Sequence, residues 1–218
     1  LGLGMDVRFV DDEGKTLEHG KGELVCLQPF PSMPTGFWND QDGVKYHNAY
    51  FNRFENIWAH GDYGEIITHQ ASTDLPAQAG VIIHGRSDAV LNPGGVRIGT
   101  AEIYRQVEKI EQVFESIAIG QDWKNDVRVV LFVRLQGDLR LSEELVDEIK
   151  QSIRKNTTPR HVPSKIIQVS DIPRTLSGKI VELAVRNVVH GKTVSNKEAL
   201  ANPEALNLYK DLDELLTD

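Results

Sequence analysis

The spacing of apolar residues along this chain changes character near Asp88. Before it, short alternating or β-branched segments are separated by Gly, Pro, Asp and Asn clusters, which is typical of strands joined by turns. After it, segments with helical spacing alternate with strand-like segments. The sequence therefore predicts an α+β fold. We expect a β-rich subdomain over residues 1–87, a junction at Asp88, and a small α+β domain over residues 89–218 that ends in a helical tail.

The β-rich part contains five segments that predict strands. They are residues 6–10, 23–27, 56–60, 64–68 and 81–85. The third and fourth predict a hairpin whose tip is Gly61-Asp62-Tyr63, because these are turn-forming residues. Cys26 lies between apolar neighbours in the second segment, which favours a buried strand position over a reactive thiol.

Helices and strands alternate in the second part. Thr100 and Ser142 are good N-cap residues, and each precedes apolar residues at helical spacing. The predicted elements are a helix from Thr100 to Phe114, a strand at 127–135, a helix from Ser142 to Ile153, a strand at 165–169 and a helix at 180–190. Beyond Lys192 the tail is polar, with one amphipathic stretch over residues 206–212.

The composition is that of an ordinary globular protein, with 40% apolar and 26% charged residues. The net charge of −8 argues against nucleic acid as a partner, because phosphate contacts need a basic surface. No apolar run approaches the roughly 18 residues of a membrane span, and no signal-peptide pattern opens the chain. With a single cysteine, these features predict a cytoplasmic protein.

Three common binding motifs fail on spacing. The glycines of the first four residues lack the third glycine and the preceding strand of a dinucleotide fingerprint. Gly178-Lys179 is only part of a phosphate loop, because that motif needs glycine where Pro173 stands and Ser or Thr where Ile180 stands. The seven histidines show no zinc-ligand spacing, so no metal site is predicted.

Residues 173–179 read Pro-Arg-Thr-Leu-Ser-Gly-Lys and end just before a predicted helix. Ser177 and Gly178 are small, and we expect them to keep the backbone mobile and to let a ligand approach. Lys179 is a compact point charge, suited to a phosphate or carboxylate whose negative charge grows in a transition state. The helix dipole disfavours a cation at this end, so the placement favours an anionic ligand over a merely solvated lysine.

A second motif spans residues 85–103 and contains Arg86, Asp88, Gly94, Gly95 and Arg97. Glycines at these positions allow a ligand to pass close to the backbone, but they fit a tight hairpin equally well. Asp88 stands between the two parts of the chain, where a hinge that absorbs large φ/ψ changes is expected.

Together, in this order and at this separation, the two motifs resemble the C-terminal signatures of adenylate-forming enzymes, the superfamily of acyl-CoA synthetases, luciferases and peptide-synthetase adenylation domains. The resemblance implies that Lys179 is the adenylation lysine, which bridges the acyl carboxylate and the α-phosphate. It implies that Asp62 and Arg86 contact the ribose, that Arg97 contacts the phosphate region of the nucleotide, and that Asp88 is the hinge.

The same resemblance implies a CoA site. Gly94 and Gly95 would border the pantetheine tunnel, and Arg154 would lie toward the nucleotide end of CoA. A rotation about Asp88 would exchange Lys179 for the Gly94-Gly95 face between two half-reactions. The superfamily often has a second acidic residue at the hinge, and this chain has Ala89 there.

Within the superfamily, three strings are similar to acetoacetyl-CoA synthetases: residues 95–104, 160–164 and 202–206. This implies conversion of acetoacetate, ATP and CoA, with Mg2+, into acetoacetyl-CoA, AMP and pyrophosphate. The Ser/Thr/Gly-rich phosphate loop and the acyl pocket of the superfamily are missing from the sequence, and the chain begins without methionine. We therefore expect a C-terminal portion that is inactive alone and whose partner is an N-terminal body.

Two other functions fit the sequence. One is a non-catalytic module that docks CoA or an acyl carrier. The other is a portion of an amino-acid adenylation domain from peptide synthesis. Tight CoA binding by the isolated chain would support the first, and Arg154 favours a CoA-dependent enzyme over the second.

Overall fold

The structure is a computed structural model that describes residues 4–69, 78–194 and 196–218. The chain divides into two compact units, Leu1–Ser87 and Asp88–Asp218. Each unit has its own sheet and its own buried apolar residues.

The first unit is a four-stranded antiparallel sheet in the order β1-β2-β3-β4, with one short helix. Its elements are β1 (Val7–Val10), β2 (Gly20–Cys26), α1 (Val44–Tyr50), β3 (Trp58–His69) and β4 (Gln78–Arg86). The sequence did not indicate α1, whose Tyr50 stacks on Trp58 of β3 at 3.6 Å between ring centroids. Cys26 is buried in β2, as predicted, and burial raises the pKa of its thiol.

The predicted hairpin around Asp62 is wrong, because residues 58–69 form one continuous strand. β3 pairs with β2 on one side and β4 on the other, and this pairing runs through the glycines that suggested a turn. Gly64 lies at a register shift where a side chain would meet the Ile82 carbonyl oxygen at 2.7 Å. The glycines therefore provide space for close packing instead of reversing the chain.

The second unit has a three-stranded sheet in the order β5-β6-β7, in which β5 and β6 are antiparallel and β6 and β7 are parallel. Its elements are α2 (Thr100–Val107), β5 (Val113–Trp123), β6 (Asp126–Leu135), α3 (Glu143–Asn156), β7 (Lys165–Gln168) and α4 (Glu182–Val189). In the described part of the chain, no helix is both long and apolar enough to cross a membrane.

Both faces of this sheet are covered. On β6, Val129, Leu131 and Val133 pack with α2 and α3, whereas Val130 and Phe132 pack with α4 and the tail. Successive side chains of a strand point to opposite faces, so the unbroken apolar run at 129–133 requires a layer on each side. The predicted strand at 127–135 is confirmed.

The helix predicted from Thr100 to Phe114 is wrong in its second half. α2 ends at Val107, and Phe114 lies in β5, a strand that the sequence did not indicate. Ile110 is buried in the turn between them, in the same apolar cluster as Val107. Pairing of β5 with β6 along ten residue pairs therefore outweighs the helical spacing of these side chains.

The tail consists of short 3-10 turns and not of an α-helix. The turns are Lys197–Ala199, Pro203–Tyr209 and Asp213–Leu215. Leu206 and Tyr209 are buried against the second face of the sheet, and the Tyr209 hydroxyl donates to the Asp171 carbonyl oxygen at 3.0 Å. The amphipathic stretch predicted here thus attaches the tail to the second unit.

Candidate functional site

Asp62 and Arg86, both expected to contact a ribose, lie opposite each other on neighbouring strands of the first unit. The Arg86 guanidinium donates through Nη1 to the Asp62 Oδ1 atom at 3.3 Å and to the His60 carbonyl oxygen at 3.2 Å. Asp62 is half-buried and Arg86 is exposed. The pair presents a carboxylate and a cation side by side, a combination that can accept from hydroxyl groups and donate to anionic oxygens.

The buried carboxylate of Glu23 holds the backbone next to this pair, at Gly61. Glu23 is only 1% exposed, accepts the Gly61 N–H through Oε1 at 2.8 Å, and accepts from Arg53 through Oε2 at 2.6 Å. Gly61 has φ of +81°, and a side chain there would meet Arg86 Nη2 at 2.4 Å. The positive φ favours glycine at this position, and the absence of a side chain leaves room for the Arg86 guanidinium beside it.

Gly94 and Gly95 lie in a 3-10 turn that closes a hairpin-like segment, in which Leu91 and Ile98 exchange backbone hydrogen bonds at 2.9 Å. Of the two alternatives for these glycines, a tight hairpin is thus present. Both glycines have positive φ and are exposed, and a side chain at Gly95 would meet nothing within 4 Å. The open side leaves room for a ligand along the backbone.

Two side chains hold the Gly94 peptide in place. The Gly94 N–H donates to both carboxylate oxygens of Asp126 at 3.0 Å, and Arg160 Nη1 donates to the Gly94 carbonyl oxygen at 2.9 Å. Backbone bonding lowers the pKa of Asp126, with Arg160 adding a further electrostatic contribution. The motif at 85–103 contained neither residue, although Arg160 belongs to one of the strings that stood out in the sequence.

The remaining residues predicted in the second unit are all exposed. Asp88 lies in the 3-10 turn Ser87–Ala89, where the two compact units meet in sequence. Arg97 follows the Gly94-Gly95 turn, and Arg154 is in the last turn of α3.

Lys179 lies on a turn closed by hydrogen bonds, and the backbone mobility expected from Ser177 and Gly178 stays a prediction. The Thr175 N–H donates to the Lys179 carbonyl oxygen at 2.9 Å, and the Gly178 N–H donates to the Thr175 carbonyl oxygen at 2.8 Å. The Lys179 N–H donates to Thr175 Oγ1 at 3.0 Å. Gly178 has φ of +82°, and a side chain there would meet nothing within 4 Å, so the exposed lysine stands beside open space.

α2 and α4 are joined through Glu182, the first residue of α4. Its Oε1 atom accepts from the Tyr104 hydroxyl at 3.2 Å and from the Thr100 hydroxyl at 3.4 Å. The Tyr104 oxygen in turn accepts the Ala118 N–H at 3.0 Å, and burial raises the pKa of this phenol. The first turns of both helices are therefore tied to the same point on β5.

The structure brings together Asp62 with Arg86 in the first unit, and Gly94 with Gly95 in the second. Sequence reasoning missed the groups that support them, namely Glu23, Arg53, Asp126 and Arg160. Among residues 4–69, 78–194 and 196–218, no group of three or more His, Cys, Asp or Glu side chains could hold a metal ion. The exposed cations and glycine turns fit an anionic, extended ligand better than a metal ion.

Comparison with known proteins agrees with these features. Residues 102–179 match the AMP-binding enzyme C-terminal domain, and the match ends at Lys179. The chain is 62% identical over 214 residues to the acetoacetyl-coenzyme A synthetase of Rhizobium meliloti (strain 1021), covering 98% of this chain and 32% of the relative. It is 46% identical over 214 residues to the acetoacetyl-CoA synthetase of Danio rerio, covering 98% of this chain and 31% of the relative.

A solved structure of acetoacetyl-CoA synthetase from Streptomyces lividans has the same fold over this region. It matches with a TM-score of 0.84 and 38% identity, covering 99% of this chain and 32% of that chain. The chain thus spans about a third of the length of the relatives it matches.

Replacement of the buried carboxylate tests the support below Asp62. We expect Glu23→Ala to destabilise the first unit by about 2 to 4 kcal/mol, because it leaves Arg53 without its buried partner and the Gly61 N–H without an acceptor. Urea unfolding of the 218-residue chain measures the change. Glu18→Ala, at an exposed position, is the matched control, and equal stability of the two variants would contradict the assignment.

Proposed function

Because this chain is homologous to acetoacetyl-CoA synthetases over nearly its whole length, we propose that it forms the C-terminal portion of an AMP-forming acyl-CoA ligase. In the first half-reaction, an acetoacetate carboxylate oxygen attacks the α-phosphorus of ATP, and pyrophosphate leaves. In the second, the CoA thiol loses its proton and attacks the acyl carbon of the adenylate, and AMP leaves. The complete enzyme is this segment joined to an N-terminal body.

The observation that carries this proposal is the exposed Lys179 on its hydrogen-bonded turn, at the end of the matched domain. During adenylation, negative charge shifts onto the oxygens between the carboxylate and the α-phosphate. An ammonium group held at a fixed place stabilises that charge without reorganising in the transition state. The hydrogen-bonded turn that presents the exposed Lys179 side chain supports this role.

Asp62 and Arg86 suit the nucleotide. The Asp62 carboxylate can accept from both hydroxyls of a ribose, since a carboxylate has acceptor positions on two oxygens. The Arg86 guanidinium, bonded to Asp62 and to the His60 carbonyl oxygen, holds the carboxylate in one orientation. Arg97 would contact the phosphate region, where a permanent cation is favourable.

The Gly94-Gly95 turn and Arg154 suit CoA. The open space beside the exposed Gly95 would let the narrow pantetheine arm lie along the backbone. Arg154, exposed on α3, supplies a cation for the phosphates at the nucleotide end of CoA.

The position of the two turns in the fold supports an exchange between half-reactions. The Gly94-Gly95 turn precedes α2, which covers one face of the sheet, and the Lys179 turn precedes α4, which covers the other. A rotation of the second unit about Asp88 would remove one turn from a reacting centre and bring in the other. Such gating lets one centre carry out two reactions.

Mg2+ would enter with the phosphates of ATP. The described residues offer no cluster of carboxylates that fits it, so we assign it no step. The high identity to acetoacetyl-CoA synthetases favours acetoacetate as the acid over an amino acid.

Acetoacetate-dependent exchange between ATP and pyrophosphate tests the proposed function. We expect no exchange by the 218-residue chain alone, and exchange when the segment is joined to its own N-terminal body or to that of the Rhizobium meliloti relative. Exchange above background by the chain alone, or none by either complete enzyme, would show that the proposal is wrong.

Lys179→Ala in the complete enzyme should separate the half-reactions. We expect ATP–pyrophosphate exchange to fall by about 100-fold or more, because the charge that stabilises the transition state is lost. Thioester formation from supplied acetoacetyl-adenylate and CoA should persist. Lys192→Ala, at an exposed lysine beyond α4, is the control. Equal loss of both half-reactions would refute the role given to Lys179.

Asp88→Pro should have the opposite effect. Proline restricts φ at this position and the conformation of the residue before it, so the change of conformation between half-reactions should be impaired. We expect adenylation to continue and thioester formation to slow in single-turnover measurements. Asp88→Ala, which leaves the backbone free to rotate, is the control. If both half-reactions survive Asp88→Pro, the hinge lies elsewhere.

A further inference from the structure

The tail beyond α4 runs beside the segment that leads into the Lys179 turn. Two backbone hydrogen bonds join the two segments: the Leu176 N–H donates to the Ala199 carbonyl oxygen at 3.0 Å, and the Ala201 N–H donates to the Arg174 carbonyl oxygen at 2.8 Å. Together they form an antiparallel bridge between Thr175 and Leu200. The turn is therefore held by residues that follow it in the sequence and lie outside the matched domain at 102–179.

One tail side chain makes three further bonds to this segment. Asn202 Oδ1 accepts the Arg174 N–H at 2.8 Å, and Asn202 Nδ2 donates to Asp171 Oδ2 at 2.7 Å and to the Ile172 carbonyl oxygen at 3.0 Å. Only a side-chain amide supplies an acceptor and two donors at this distance from the backbone. Asn202 thus fixes both ends of the segment 171–174.

Arg174 transmits this constraint to the turn. Its backbone is held by Asn202 and Ala201, and its Nη1 atom donates to the Gly178 carbonyl oxygen at 3.0 Å. Its Nη2 atom pairs with Glu115, a buried carboxylate of β5. The residue immediately before Lys179 is therefore bonded to an arginine whose backbone the tail holds and whose guanidinium pairs with β5.

We propose that Asn202 is a positioning residue for Lys179 and that it acts through Arg174. The inference rests on the proposed function, because it concerns the half-reaction in which Lys179 takes part. A misplacement of about 1 Å in a group that stabilises a transition state lowers the rate by about 100-fold. Loss of the Asn202 bonds therefore lowers the rate of adenylation while it leaves the Gly94-Gly95 turn, which Asp126 and Arg160 hold, unaffected.

Asn202→Asp in the complete enzyme tests this inference. Aspartate has the same shape but loses both donors and places a second carboxylate against Asp171. We expect ATP–pyrophosphate exchange to fall by about 10- to 100-fold. Thioester formation from supplied acetoacetyl-adenylate should stay within about twofold of the unsubstituted enzyme, since Lys179 takes no part in it under the proposed function.

Two further variants serve as control and rescue. Asn207→Asp makes the same change in charge at an exposed position of the tail, and exchange should keep its full rate. The double variant Asn202→Asp with Asp171→Asn reverses the polarity of the side-chain pair, because the amide introduced at position 171 would donate to the carboxylate introduced at position 202. We expect it to recover most of the lost exchange activity.

The outcomes separate this inference from the proposed function. If Asn202→Asp slows both half-reactions equally, or does not lower ATP–pyrophosphate exchange, the positioning role of Asn202 is overturned. Amide hydrogen exchange at residues 175–179 gives a second readout on the 218-residue chain, and protection unchanged by Asn202→Asp would also overturn it. If Lys179→Ala leaves ATP–pyrophosphate exchange intact, the proposed function fails. Amide hydrogen exchange then still decides whether Asn202 holds the Lys179 turn. If Asn202→Asp does not fold, Asn202→Ser replaces it and must show the same split.

Discussion

The second unit depends on a strand that is apolar on both faces. β6 places Val129 and Leu131 on one side and Val130 and Phe132 on the other, so neither side tolerates water. The two sides are covered by different elements, α2 with α3 and α4 with the tail. Because a glycine-rich turn precedes α2 and the lysine turn precedes α4, the need to bury one strand also attaches two chemically different turns to a single rigid body.

Apart from the half-buried Asp62, the groups proposed for chemistry are exposed, whereas the groups that hold them are often buried or bonded on several sides. The buried Glu23 accepts the N–H of Gly61, the residue before Asp62. The buried Glu115 pairs with Arg174, which donates to the Gly178 carbonyl oxygen beside Lys179. A buried carboxylate is favourable only when its acceptors are satisfied, and both carboxylates have cationic partners. This division lets ligand-binding side chains contact solvent while their backbone stays in one geometry.

The sequence predicted most of the regular structure, and its errors have identifiable causes. The strand at 127–135 and the helix capped by Ser142 were recognisable because β-branched residues and an N-cap are local signals. β5 was missed because helical spacing of apolar residues continued through Ile110 to Phe114, whereas β5 pairs with β6 in a hairpin closed by two residues, Lys124 and Asn125. Asp62 was predicted at a turn because glycine and aspartate are common in turns. In the structure, Gly61 lies within β3 and leaves room for the Arg86 guanidinium from β4.

The candidate site was predictable where the residues proposed for the chemistry belong to the sequence motifs, as Lys179 and Gly94 do. Its supports were not predictable, because Asp126, Arg160 and Asn202 reach the motifs only in three dimensions. Asn202 bonds to residues 171–174, which precede the lysine turn. The matched domain ends at residue 179, but the folded unit therefore continues beyond it. A graft that ended at Lys179 would separate the lysine from the residues that orient it. A segment exchanged between related chains, in evolution or in the laboratory, would therefore need to continue past Lys179 and include Asn202.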